Sequence, residues 1–128
     1  MKKVQKVSTG TNWEEMVGYS RAVRIDNRIE VAGTTAVDQN GDLIGKDDPY
    51  EQTIFIIQKA EKALIELGAE LKDVIRTRIF TTDISRWEAI GKAHGEYFRE
   101  IKPATTMVEV SNLISADILV EIEFSAMV

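Results

Sequence analysis

The chain of 128 residues contains no cysteine, which excludes a disulfide framework and a thiol nucleophile and fits a reducing compartment. It has no apolar run near the roughly 18 residues that span a bilayer. The basic start, MKKVQKVSTG, is not followed by the apolar segment of a secretory signal, so the cytoplasm is the expected location and no membrane partner is expected. Basic clusters are missing too. The 16 Lys and Arg are scattered among 21 Asp and Glu, giving a net charge of −5. Nucleic-acid binding draws most of its affinity from neutralised phosphates, so nucleic acid is not the expected ligand.

Metal-binding patterns fail in the same way. Asp38, Asn40 and Asp42 have the first spacings of a calcium loop, but Leu43 stands where its glycine belongs and Pro49 where its glutamate belongs. Asn40-Gly41 reads as a turn instead. His94 is the only histidine, set a turn from Ile90 and Phe98, and reads as a structural or surface residue. No metal and no cofactor is implied.

What is present describes one α+β domain over residues 1–128, with 44% apolar and 29% charged residues. Asp48-Pro49-Tyr50-Glu51 offers an N-cap, a proline at the first helical position and an acidic third residue. Behind it Ile56, Ala60, Ala63, Leu64 and Leu67 share one helical face, and Gly68 supplies the stop. Ser85-Arg86-Trp87-Glu88 repeats the capping logic before a second stripe of Ile90, Ala93, Tyr97, Phe98 and Ile101, ended by Pro103. Extended runs are predicted at residues 19–25 and 28–36, joined through Asp26-Asn27, then at 74–82, 105–110 and 119–128. A further short strand is expected at residues 4–7. This order gives a single sheet with both helices on one face.

Alternation assigns Ile75, Ile79, Val108, Val110, Val120, Ile122 and Phe124 to the face under the helices. The opposite face then collects Arg76, Arg78, Phe80, Thr105, Met107, Glu109, Leu119, Glu121, Glu123 and Ser125. Charges mixed with Met, Leu and Phe suit burial against a symmetric partner, with Arg76 and Arg78 pairing to the glutamates.

Five segments carry a resemblance to a known family. Gly18-Tyr19-Ser20 with Ala22, Val31-Ala32-Gly33-Thr34, Arg76 through Asp83, Lys102-Pro103-Ala104 with Val108-Glu109-Val110, and Val120-Glu121-Ile122-Glu123 fall in the order and spacing of the RidA/YjgF proteins. That family also goes by endoribonuclease L-PSP or translation initiation inhibitor. The resemblance implies the chorismate mutase-like fold: a mixed six-stranded sheet with two helices on one face, assembled as a homotrimeric barrel with ligand clefts between subunits. It further implies that Glu121 positions or activates an attacking water, that Tyr19 lines the cleft, and that Gly33 lets a substrate approach the backbone. Met107, a further expected substrate-binding residue, and Ala32 differ from common family choices. Trp87 takes a place where an aromatic often lies near the cleft, with core packing as the alternative.

One departure matters most. Active imine deaminases of the family carry an arginine directly after Pro-Ala, and this chain has Thr105 there. A hydroxyl cannot reproduce the bidentate grip of a guanidinium on a carboxylate, a loss of about 3 kcal/mol or roughly 100-fold. The expectation is a small-molecule cleft using Glu121, Tyr19 and Thr105, that of a hydrolase or deaminase of imines, enamines or related amine-type metabolites, with weak action on 2-imino acids and a preference for neutral or cationic ligands. Arg21 and Arg78 are the candidate substitute cations. The competing expectation is a regulatory or protein-interaction trimer with a vestigial cleft.

Overall fold

The computed structural model describes residues 2–128. Its two long helices form where the local chemistry asks for them. Asp48 caps α2 (Pro49–Glu66), its Oδ1 accepting from the Glu51 amide at 3.0 Å, while Pro49 fills a position that needs no N–H. Gly68, at φ 81°, turns the chain out in the left-handed conformation. The stripe Ile56, Ala60, Ala63, Leu64 and Leu67 is buried as expected. The start of α3 (Trp87–Phe98) departs from expectation. Asp83, not Ser85, is the capping side chain: it accepts from the Ser85 amide at 3.1 Å and opens a 3-10 turn, Ile84–Arg86, that runs into the helix.

Six strands, β1 (Val4–Val7), β2 (Ala22–Ile25), β3 (Arg28–Thr34), β4 (Val74–Thr81), β5 (Ala104–Glu109) and β6 (Val120–Met127), form one sheet in the order β1-β2-β3-β6-β4-β5. Every neighbouring pair is antiparallel except β4 and β5, which run parallel because α3 carries the chain back between them. Asp26, at φ 55°, and Asn27 make the two-residue turn between β2 and β3. Both long helices pack on one face, over a core of Ile29, Ile79, Ile122 and Phe124. The mixed α+β architecture is the one expected.

Three readings are corrected. A short helix, α1 (Asn12–Val17), precedes β2 and was not anticipated. On β5 the faces are reversed. Thr105 lies opposite Thr77 and Met107 opposite Ile79, so both point toward the helix layer, while Val108 lies opposite Phe80 on the open face, 41% exposed. β5 is an edge strand with little burial on either side, so apolar alternation there carries no information about which face is which. Finally, Ile75 is 50% exposed rather than under the helices, because the β4–β6 register shifts between Val74 and Arg76 and swings it out.

The open face keeps Arg76, Arg78, Phe80, Glu121 and Glu123. Its Arg78–Glu123 pair, at 3.9 Å with both side chains nearly half exposed, contributes little by itself. Arg76 bonds to Thr106 at 3.0 Å, and Glu109 turns away to accept the Ile84 amide at 3.0 Å. Among the described residues no helix is long and apolar enough to cross a membrane.

Candidate functional site

The site is built around a buried charge pair at the entry to the first hairpin. Thr11 caps α1, accepting from the Glu14 amide at 3.3 Å. Glu14 itself is only 4% exposed, and its carboxylate collects Ser8 Oγ at 2.9 Å, the Thr9 amide at 3.1 Å, the Thr9 hydroxyl, and Thr11 Oγ1 at 3.0 Å. Burial alone would raise its pKa; these hydrogen bonds outweigh burial and hold the carboxyl below the usual glutamate range. The charge is answered by Arg21, whose Nε lies 3.8 Å from Glu14 Oε2.

Arg21 is also 4% exposed. Its Nη1 donates to the Gly33 carbonyl at 2.7 Å and to Thr34 Oγ1 at 3.0 Å, and its Nη2 donates to the Tyr19 hydroxyl at 3.2 Å. Its Nε has no hydrogen-bond partner among the described residues. Arg21 is therefore a strut that joins α1, Tyr19 and β3, and not a mobile cation. Arg78, the other candidate substitute, stays with Glu123 on the open face.

On β3 the register slips between Val31 and Thr34, a bulge that bends the strand at Ala32 and Gly33. Glu121, from β6, lays its carboxylate directly over Gly33, where any Cβ would overlap Oε2. Glycine permits this close approach without an unusual φ, and a Cβ here would push the end of the Glu121 side chain aside. Burial raises the Glu121 pKa, the neighbouring Glu123 charge adds to the rise, and Arg21 works against it. Gly33 thus sits between a buried guanidinium on its carbonyl and a half-buried carboxyl on its Cα.

Tyr19, Gly33 and Glu121 open together into a cavity of about 770 Å³, with Arg21, Lys59 and Trp13 also in its wall. That volume suits a small molecule. The other three expected site residues lie elsewhere. Thr105 donates to the Pro103 carbonyl at 3.2 Å and meets Thr77 Oγ1 at 2.7 Å, which in turn contacts His94 Nε2 at 2.9 Å. Met107 packs half-buried against the core, and Trp87 is 54% exposed at the start of α3. A single chain brings together one half of the expected set and leaves the other half apart.

His94 is structural, stacked on Phe98 at 4.6 Å, with burial pushing its pKa down and favouring the neutral ring. Asp38 spends its carboxylate on the amides of Asn40 and Asp42, at 2.9 and 3.0 Å, within the turn expected there. Sequence reasoning missed α1, Glu14 and Lys59. For the first two a signal existed: Thr11-Asn12-Trp13-Glu14 has the capping-box spacing. Lys59 had none, since its place depends on how α2 packs beside Val37.

The family model for endoribonuclease L-PSP matches residues 9–128. An uncharacterized protein of Streptomyces coelicolor is 40% identical over 124 residues, covering 96% of this chain and 91% of the relative. The 3-aminoacrylate deaminase RutC of Acinetobacter baylyi is 35% identical over 104 residues, covering 81% and 82%. Among solved structures, a YjgF/YER057c/UK114 family member from Mycobacterium tuberculosis superposes with a TM-score of 0.90 at 47% identity, covering 98% of this chain and all of its own.

Proposed function

Because the chain belongs to the endoribonuclease L-PSP family, the RidA/YjgF proteins, we propose that its cleft is a hydrolytic deaminase site for small imines or enamines. The observation that carries the reading is Glu121: a half-buried carboxyl of raised pKa, laid on the backbone of Gly33 in the same cavity as Tyr19. Water adds to the C=N carbon while Glu121 takes one of its protons and passes it to nitrogen, giving a carbinolamine; Glu121 then takes the hydroxyl proton and delivers it to the nitrogen as the C–N bond breaks, so that a carbonyl and ammonia leave. A carboxyl whose pKa is raised toward the working pH can both accept and return that proton. An enamine enters the same path after protonation at carbon gives its imine tautomer. The family description's other activity, RNA cleavage, would need a basic phosphate-binding surface, and a net charge of −5 favours the small-molecule reading.

The test follows ammonia release from 3-aminoacrylate, the compound in the name of the Acinetobacter relative, and from 2-imino acids made by an amino-acid oxidase. Acceleration of the first is the expected result, with action on 2-imino acids weaker than that of an arginine-bearing relative because Thr105 stands where such relatives carry arginine. No acceleration of either would sink the reading.

The reading includes a homotrimer. Support comes from the open sheet face, where Val108 is 41% and Met127 38% exposed beside Phe80 and the Arg78–Glu123 pair. A trimeric barrel covers that face, and it gives Trp87 of a neighbouring subunit, exposed at the start of α3, a way to complete the cleft that holds Tyr19, Gly33 and Glu121. Sedimentation equilibrium at micromolar concentration should find a trimer; a dominant monomer would remove the intersubunit site.

A further inference from the structure

We propose that Trp13 and Val17 of α1, with Ile114 of the β5–β6 loop, form an apolar subsite of the cleft, so that its preferred ligands carry an aryl or branched aliphatic arm. This rests on the reading of the cavity around Glu121 as the working site.

Helix α1 presents its apolar side outward. Trp13, Met16 and Val17 stand three and four residues apart and share one face, the stripe that a helix ordinarily buries. All three are more than half exposed, while Glu14, off that face, is buried. The cause is the carboxylate network around Glu14. Ser8, Thr9 and Thr11 hold the side chain in, with Arg21 behind it, and the apolar face is left out of the core. Apolar surface kept out of the core in this way needs another cover.

A cavity supplies the place for that cover. Trp13 and Val17 are in the wall of the 770 Å³ cavity that holds Tyr19, Gly33 and Glu121, and Ile114 and Ile118 are in the same wall. Gly18, at φ 86°, ends α1, and the Tyr19 amide donates to the Glu14 carbonyl at 3.0 Å, which fixes the helix to Tyr19. Val17 and Tyr19 are two residues apart, about 7 Å at most between Cα atoms. The loop on the other side is pinned by Gln52, a fully buried side chain of α2. Its Nε2 donates to the Asp117 carbonyl at 3.0 Å, and its Oε1 accepts from the Leu119 amide at 2.9 Å. Ile118 precedes Glu121 by three residues, a span of about 11 Å at most.

Two buried polar anchors, Glu14 and Gln52, thus set an apolar wall beside the carboxyl before any ligand arrives. A wall already in place gives affinity without the cost of ordering it on binding. A compound as small as 3-aminoacrylate leaves most of the cavity to water, whereas cavities of this size ordinarily enclose larger molecules. A ligand with its reacting C=N or C=C–N group at Glu121 and an aryl arm on the Trp13 ring fills it, and aromatic packing then adds to apolar burial. The competing explanation is that a neighbouring subunit covers α1.

Compounds that differ only in the arm test this. Pyruvate with phenylpyruvate, and acetamide with phenylacetamide, are titrated by calorimetry into the parent and the Trp13→Ala, Trp13→Phe, Ile114→Ala and Met16→Ala proteins. Fold is checked by circular dichroism and assembly by sedimentation. The phenyl arm should raise affinity about tenfold or more on at least one head group in the parent. Trp13→Ala and Ile114→Ala should each lower this gain, and Trp13→Phe should keep most of it. Met16→Ala, outside the cavity wall, should leave it unchanged. No gain from the arm in the parent, or the full gain in both Trp13→Ala and Ile114→Ala, would overturn the proposal. So would a Trp13→Ala protein that dissociates to monomers yet keeps the gain, because a neighbouring subunit is then what covers α1. Ammonia release by Glu121→Gln separates the subsite from the chemistry beside it. If the gain depends on Trp13 while turnover is indifferent to Glu121, the subsite stands and the deaminase reading falls. If Glu121→Gln abolishes turnover and the arm adds nothing, the deaminase reading stands and the subsite falls.

Discussion

Glu121→Gln is expected to lower deaminase turnover by about 10²–10⁴-fold, the usual contribution of a positioned general acid–base group. Glutamine keeps the shape over Gly33 but can neither take a proton from water nor return one to nitrogen. The same substitution should raise thermal stability at neutral pH. Burial and Glu123 lift the Glu121 pKa in the folded chain above its ordinary value. The unfolded state therefore loses this proton first as pH rises, and stability falls between the two pKa values and stays lower above them. Glutamine removes that loss, so its stabilising effect should be present at pH 7 and vanish near pH 4. Melting temperatures of the two proteins across this range provide the check. A variant that is less stable at pH 7, or fully active, would show that the carboxyl is neither strained nor catalytic.

Arg21→Met carries the largest expected cost in stability, about 3–5 kcal/mol, the range for removing one partner of a buried ion pair. It strands the Glu14 charge and takes hydrogen bonds from the Gly33 carbonyl, Thr34 and the Tyr19 hydroxyl. Urea unfolding should show an earlier midpoint with little change in slope. Combining it with Glu14→Gln should recover part of the loss, because the second change removes the stranded charge; the double-mutant cycle measures that coupling. A cost below about 1 kcal/mol would mean that the pair is replaceable by packing, as some buried pairs are.

Helix α2 shows what a sequence specifies locally. Its cap, its proline, its apolar stripe and its Gly68 terminator lie within a few residues of the bonds they make, so residue identity alone predicts them. The same kind of signal, Thr11 to Glu14, marked α1 and went unread because six residues are too few to show a stripe. The first hairpin was legible for a related reason: Asp26-Asn27 closes its turn over two residues.

Site residues behave differently. Tyr19, Gly33 and Glu121 were legible through family motifs, and their meeting in one cavity follows from the pairing of β3 with β6, some 90 residues apart in the chain. The position of Thr105 was not legible. Its face is set by the parallel register with β4, and on an edge strand exposed on both sides no burial pattern records that register.

By itself, the sequence determined the class of fold, the single sheet with two capped helices, the absence of disulfide chemistry and the family signature. Each of these rests on local bonding, on composition or on motif spacing. Only the tertiary structure decided that Arg21 is a buried strut tied to Glu14, that Lys59 stands beside it at the cavity wall, and that Thr105 faces the helix layer. Those relations depend on strand register and helix packing between distant segments. Many registers satisfy the same pattern of residues until burial of the whole core selects one.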